Sequence, residues 1–141
     1  MSGPDEVVRL LGLQPHPEGG WYRETWRDAG GDGSRSAGSA IFYLLRAGEE
    51  SRWHRIDAAE VWHLYAGGPL ELDLSVDGTT VDRLVLGVDL VAGQRPQHVV
   101  PAGVWQAARP LAAWSLVGCT VSPAFEFAGF ELAPETWGLR P

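Results

Sequence analysis

No lysine occurs in the 141 residues; all 11 basic residues are arginines. Schiff-base chemistry, pyridoxal anchoring and a Walker-type phosphate lysine are therefore excluded for this chain. Cysteine is almost as scarce. Cys119 stands alone in the apolar run Leu116-Val117-Gly118-Cys119-Thr120-Val121, where an internal disulfide is impossible and a buried small hydrophobe is a better reading than a catalytic thiol. A reducing, cytoplasmic setting is the expectation. No run approaches the roughly 20 apolar residues that span a bilayer, and Met1 to Leu13 lacks the continuous apolar stretch of a signal peptide, so a soluble protein without membrane partners is expected. Positive charge is also in deficit: 11 basic against 18 acidic residues leave a formal net charge of −7. Such a surface repels phosphate backbones, and nucleic acid is not an expected partner. The acids are not gathered into a block, so the charge reads as ordinary solubility.

What is present is enough apolar material for a core: 45% of residues are hydrophobic and seven are tryptophan, as suits one domain of this length. Only the start reads as a helix. Ser2 or Gly3 can cap it, Pro4 fits the first turn, Asp5 and Glu6 complement the dipole, and Val7, Leu10 and Leu11 form a stripe that Gly12 ends. After the Pro15–Gly20 turn the pattern is β throughout: Trp21–Arg27, Ser39–Leu45, Ser51–Ile56, Glu60–Ala66, Leu70–Val76, Thr79–Leu86, Gln97–Val100, Val104–Ala108, Ala113–Val121 and Phe125–Leu132. The clearest alternation sets Leu70, Leu72, Leu74 and Val76 against Glu71, Asp73 and Ser75. Ten short strands favour an all-β barrel or sandwich over α/β layering. The expected organisation is a single domain over residues 1–141, with a short N-terminal helix (1–12), a barrel (21–133) and a C-terminal tail (134–141).

The chemistry concentrates between Gly48 and Gly67, where His54, Glu60 and His63 precede a glycine turn. An imidazole with a carboxylate is either a partial metal site or an acid–base pair. Gly48, His54, Glu60 and Gly67 match the first cupin motif, G-x5-H-x-H-x3-E-x6-G, with Ile56 at its second histidine. Pro101-Ala102-Gly103-Val104-Trp105-Gln106 matches the core of the second motif, with Gln106 in place of its histidine. The chain further resembles the cupin-5 group, a family first defined as a domain of unknown function. That likeness is carried by Pro15-His16-Pro17-Glu18-Gly19-Gly20, Tyr22-Arg23-Glu24-Thr25, Ser51 with His54-Arg55, Glu60-Val61-Trp62-His63, Pro69 to Leu72, Pro96-Gln97, Val99 to Pro101, Trp105-Gln106 and Leu116 to Val121. It runs from about Leu10 to Ala133. The resemblance implies a cupin double-stranded β-helix, or jelly-roll barrel, holding a small-molecule pocket, and commonly a homodimer. A β-rich chain without lysine to protect its strand edges fits the same dimer.

Two uses of the site stay open. As a metal centre it would hold a divalent ion (Zn, Ni, Mn or Fe) on His54, Glu60 and Gln106, with His63 as a possible further ligand. Strand parity turns His63 away from the barrel if Glu60 and Trp62 point inward. Two strong donors and an amide are few for a transition metal. Without a metal, His54 and Glu60 would be catalytic, and a carboxylate-held histidine could abstract a proton α to a carbonyl. Gln106, Tyr43, Trp62, Arg23 and Gln97 are candidate substrate-binding residues. Tyr43 reads equally as a core aromatic, and Arg23 and Glu18 as members of structural ion pairs. His16, in a Pro/Gly turn, reads as a loop contact. The functional expectation is an isomerase- or epimerase-like enzyme on a small polar metabolite such as a sugar or keto compound. The alternatives are a non-catalytic metabolite-binding cupin and a metal-dependent enzyme with a reduced ligand set.

Overall fold

The polypeptide, described by a computed structural model over residues 3–135 and 137, begins with α1 (Pro4–Leu11). Gly3 is its N-cap, and Gly12 stops it at a φ of 67°, which lacks the Cβ penalty of other residues. Ser2, the other candidate cap, lies outside the described residues, as do 136 and 138–141 of the expected tail. Val7 on the buried face of α1 packs with Leu13, Leu44 and Leu116.

Eleven strands follow: β1 (Gln14–Pro15), β2 (Trp21–Arg27), β3 (Ser39–Arg46), β4 (Ser51–Ile56), β5 (Ala59–Gly67), β6 (Leu70–Ser75), β7 (Asp82–Leu86), β8 (Gln97–Val100), β9 (Trp105–Pro110), β10 (Trp114–Ser122) and β11 (Phe130–Leu132). They form two antiparallel sheets, ordered β1-β2-β3-β10-β5-β8 and β11-β4-β9-β6-β7. This is the jelly roll with a short N-terminal helix that the cupin resemblance implies. The chain changes sheet between β4 and β5 across only Asp57 and Ala58, which puts His54 and Glu60 on opposite walls of one interior.

Inward positions of both sheets fill the barrel's closed half with Tyr43, Leu45, Trp62, Leu70, Leu72, Leu86, Val100, Ala108, Val117 and Cys119. Each large side chain so buried contributes about 1.5–3 kcal/mol relative to exposure. The alternation of β6 holds for Leu70 and Leu72, both fully buried, but Val76 lies beyond the strand and is 78% exposed. Glu71 and Asp73, on the other face of the strand, are buried too. Arg109 and Arg83 lie across them, at 2.9 Å from Glu71 and 3.2 Å from Asp73.

Two strands are shorter than their sequence pattern. β7 starts at Asp82 instead of Thr79, because the Asp77 carboxylate takes the backbone N–H groups of Thr79 and Thr80 and holds them in the turn. Residues 125–129 end in a 3₁₀ turn (Phe127–Gly129) instead of a strand. There the carbonyl of Phe125 accepts from Arg27, and that of Ala124 from Arg35, so side chains take acceptors that a ladder would use.

Candidate functional site

His54 lies on β4 opposite Gln106 of β9, and Glu60 lies near the start of β5. Both line one end of a cavity of about 510 Å³ in the open half of the barrel. Ile56, at the place of the motif's second histidine, also lines it. So do His16, Glu18, Tyr22, Cys119 and Phe130.

Glu18 arrives from a turn rather than a strand. His16 donates its N–H to Gly20 and accepts from Gly19 N–H, closing the turn, while Arg52 N–H bonds the Glu18 carbonyl and fastens it to β4. The fit leaves no room: a Cβ on Gly19, whose φ is +112°, would lie 2.0 Å from the Glu50 carbonyl oxygen. Glu18 is thereby buried with its Oε2 2.7 Å from His54 Nδ1 and 2.8 Å from Ser51 Oγ, which donates to it.

That contact fixes the imidazole. Nδ1 faces two acceptors, the Glu18 carboxylate and the Arg52 carbonyl at 2.7 Å, so it carries the proton. Nε2 makes no hydrogen bond among the described residues. Burial disfavours the charged ring, but the charge and hydrogen bond of Glu18, with help from Glu60, raise His54 to about 9. At neutral pH it is an imidazolium. His16 behaves oppositely: burial, only partly offset by the pull of Glu18 and reinforced by the smaller effect of the His54 charge, holds it below its ordinary value. Its Nδ1 accepts the Glu18 N–H at 3.0 Å.

Glu60 has a neutral partner. Gln106 Nε2 donates to Glu60 Oε1 at 2.9 Å, and Trp62 Nε1 donates to Gln106 Oε1 at 2.8 Å. The indole N–H can only donate, so it fixes which way the amide points: oxygen toward Trp62, NH₂ toward Glu60. Burial and then the Glu18 charge push Glu60 up to about 7, despite His54, Gln106 and the Cys119 thiol. Burial also pushes Cys119 well above its ordinary value, so it stays a thiol.

The site thus brings together the expected His54 and Glu60, while the other candidates fall elsewhere. Gln106 and Trp62 are fully buried behind Glu60 and orient it without lining the cavity. Tyr43 is a core aromatic whose hydroxyl donates to the Gly19 carbonyl. Arg23 is exposed on β2 and donates to the Leu11 carbonyl at 3.2 Å, tying α1 to the barrel. Gln97 lies on the outer face of the larger sheet, 3.3 Å from His63 Nδ1. His63 also faces outward, with Nε2 3.2 Å from Thr120 Oγ1. His63 and Gln97 are therefore removed from the interior by strand parity. What the candidate set missed is the role of Glu18 and His16, which the Pro-His-Pro-Glu-Gly-Gly turn carries inward.

The metal implied by the cupin resemblance does not fit these donors. His54 Nε2 and the Glu60 carboxylate are two donors, but Ile56 offers no lone pair, and Gln106 turns its N–H groups, not its oxygen, toward the site. His63 is outside. Among the described residues no three His, Cys, Asp or Glu side chains are grouped to hold an ion.

Solved structures place this geometry in context. A protein of Shewanella oneidensis is 41% identical, with a TM-score of 0.90 over 94% of this chain and 85% of its own. A hypothetical protein from Leishmania major is 29% identical, with a TM-score of 0.87 over 96% of this chain and 90% of its own. Oxalate decarboxylase from Bacillus subtilis, at 12% identity and a TM-score of 0.65, shares the fold alone; the match covers 84% of this chain and 29% of that one. No curated protein matches. The Cupin_5 family matches residues 5–133, nearly the whole described chain. With the jelly roll, the surviving His54 and Glu60 and that match in hand, the chain belongs to the Cupin_5 family (DUF985) of the cupin superfamily.

Proposed function

We propose that the protein is an isomerase-like enzyme that moves a proton α to the carbonyl of a small metabolite held in the barrel. The observation that carries this reading is the pairing of two buried, cavity-lining groups with different partners: an imidazole clamped by Glu18 and a carboxyl held by a neutral amide and thiol. Environments that push two titratable groups apart mark an acid and a base. The His54 imidazolium, with Nε2 toward the cavity, suits the carbonyl oxygen and the negative charge that grows there. Glu60, near 7, is matched to taking a proton from carbon and returning it at neutral pH. In the forward step the α C–H bond breaks, its proton goes to Glu60, and the electron pair moves into an enediolate stabilised by His54. Glu60 then returns the proton to the former carbonyl carbon. The hydroxyl proton of the other enediolate carbon passes by way of His54 Nε2 to the former carbonyl oxygen, which completes an aldose–ketose-type shift. This assigns the base to Glu60 and leaves His54 as the electrophile, the reverse of a carboxylate-held histidine base.

Proton exchange in D₂O, followed by NMR on a panel of hydroxyaldehydes and hydroxyketones, tests it. Wild-type protein should exchange the α-proton of at least one compound, and Glu60→Gln should lose about 10²-fold or more of that rate. A ligand that binds tightly and keeps its α-proton would instead support a non-catalytic metabolite-binding protein.

A further inference from the structure

The cavity has a charge inventory and a wall that together restrict what enters. Its lining includes four carboxylates, Glu18, Glu24, Glu60 and Glu126, and a single guanidinium, Arg27. That guanidinium is already engaged: Nε and Nη2 reach Glu24 at 3.0 and 2.8 Å, and Nη2 also reaches the Phe125 carbonyl at 2.8 Å. Arg35, which bonds the lining residue Glu126, is spent on Asp57, Glu126 and the Ala124 carbonyl. The His54 cation is neutralised by Glu18 at Nδ1, its Nε2 is the donor that a carbonyl oxygen takes, and the chain holds no lysine. An arriving carboxylate or phosphate would thus find no free cation and would face Glu60, which has no positive side chain bonded to it. In a desolvated cavity such like-charge contact is strongly unfavourable.

The wall beside His54 is hydrocarbon, with Phe130 stacked on the imidazole at 5.4 Å. Phe125, Phe127 and Phe130 stand edge to face, with ring centroids 4.9, 6.0 and 6.1 Å apart, and Ile56 carries the apolar surface toward His54. Phe127 is 55% exposed although its neighbours in the cluster are half-buried. A ring open to solvent inside an aromatic cluster presents an unfilled face to a ligand.

We infer that the substrate is an uncharged carbonyl compound with an apolar or aromatic flank, its carbonyl end at His54 and Glu60 and its flank on the phenylalanine wall, and that carboxylates and phosphates are rejected. The carbonyl end rests on the acid–base reading above; the charge and shape selection do not.

Isothermal titration at pH 8 with three probes separates these points. 2-Hydroxyacetophenone has the ring and no charge, phenylpyruvate has the ring and a carboxylate, and hydroxyacetone has neither ring nor charge. Wild-type protein should bind 2-hydroxyacetophenone about tenfold or more tighter than either of the others, as expected for a buried ring and an uncompensated charge. Phe127→Ala, a change at a half-exposed side chain, should shrink the advantage over hydroxyacetone. Glu60→Gln should shrink the advantage over phenylpyruvate. Equal or tighter binding of phenylpyruvate by the wild type, or no saturable binding of 2-hydroxyacetophenone at about 10 mM, would overturn the inference. The predicted selectivity without α-proton exchange on any bound ketone would sink the isomerase reading and leave the ligand class standing. Exchange confined to anionic keto acids would do the reverse.

Discussion

Glu18 is the residue on which the site's electrostatics turn. Burial alone lowers a histidine, and chiefly the charge and hydrogen bond of Glu18, with smaller help from Glu60 and the Arg52 carbonyl, lift His54 to about 9. Glu18→Gln keeps the shape and removes the charge, so His54 should titrate well below 9. A two-dimensional NMR titration of the His54 ring would read this directly, and an unchanged pKa would contradict the pairing. The same residue shows where the sequence is silent. His54 and Glu60 are legible from motif spacing, and Trp62 and His63 sort correctly by strand parity. Glu18 lies 36 residues before its partner, in a turn without periodicity, and nothing local says which way it points. Arg23 and Gln97 were misleading for the opposite reason: both lie within family-like stretches, yet one serves α1 and the other the outer face. Gln106 yields a further prediction. Ile56→His combined with Gln106→His would restore the full cupin ligand set, and elemental analysis should find a divalent metal in that variant well above the wild-type level.

At the level of elements, the His16–Gly20 turn behaves as a rigid bracket. It is pinned to β4 by the Arg52 N–H and by the Arg52 guanidinium, which donates to the Pro17 carbonyl at 2.8 Å. Gly19→Ala adds a Cβ where the Glu50 carbonyl already stands and forces a residue with a side chain into positive φ. The expected cost is about 3 kcal/mol, measured by urea unfolding, with loss of the His54–Glu18 contact. A neutral result would mean that the turn can move off β4. The strands themselves were readable to within a few residues because their apolar alternation records burial. The exceptions, the late start of β7 and the 3₁₀ turn before β11, are places where Asp77, Arg27 and Arg35 side chains capture backbone groups across space. Hydropathy does not register such captures.

For the whole molecule, the buried titrating groups set a direction for stability. His54 is raised from 6.5 to about 9, so its contribution is complete below 6.5 and is lost as pH rises through 9. Glu60, raised from 4.5 to about 7, and Asp73, raised from 3.8 to about 6 by burial and then by Glu71, are tolerated as neutral acids. Their contributions also vanish with rising pH, through about 7 and 6. His16 and His98, held low chiefly by burial, work in the opposite sense near 6.5 but are outweighed by the two larger displacements. Thermal unfolding should therefore show its highest Tm near pH 5 and a fall of about 10 °C by pH 9. A Tm that climbs across this range would contradict the buried His54–Glu18–Glu60 arrangement.

The two-residue corner at Asp57 and Ala58 has a consequence for how the protein is made. Because it delivers His54 to one sheet and Glu60 to the other, neither group meets its partner until both sheets have closed on each other. His54 needs the distant Glu18 turn, and Glu60 needs Gln106 from β9, 46 residues onward. Pairings of such high sequence separation form late, after their loop-closure entropy has been offset elsewhere. The His54–Glu18 and Glu60–Gln106 pairs are therefore properties of the finished barrel alone.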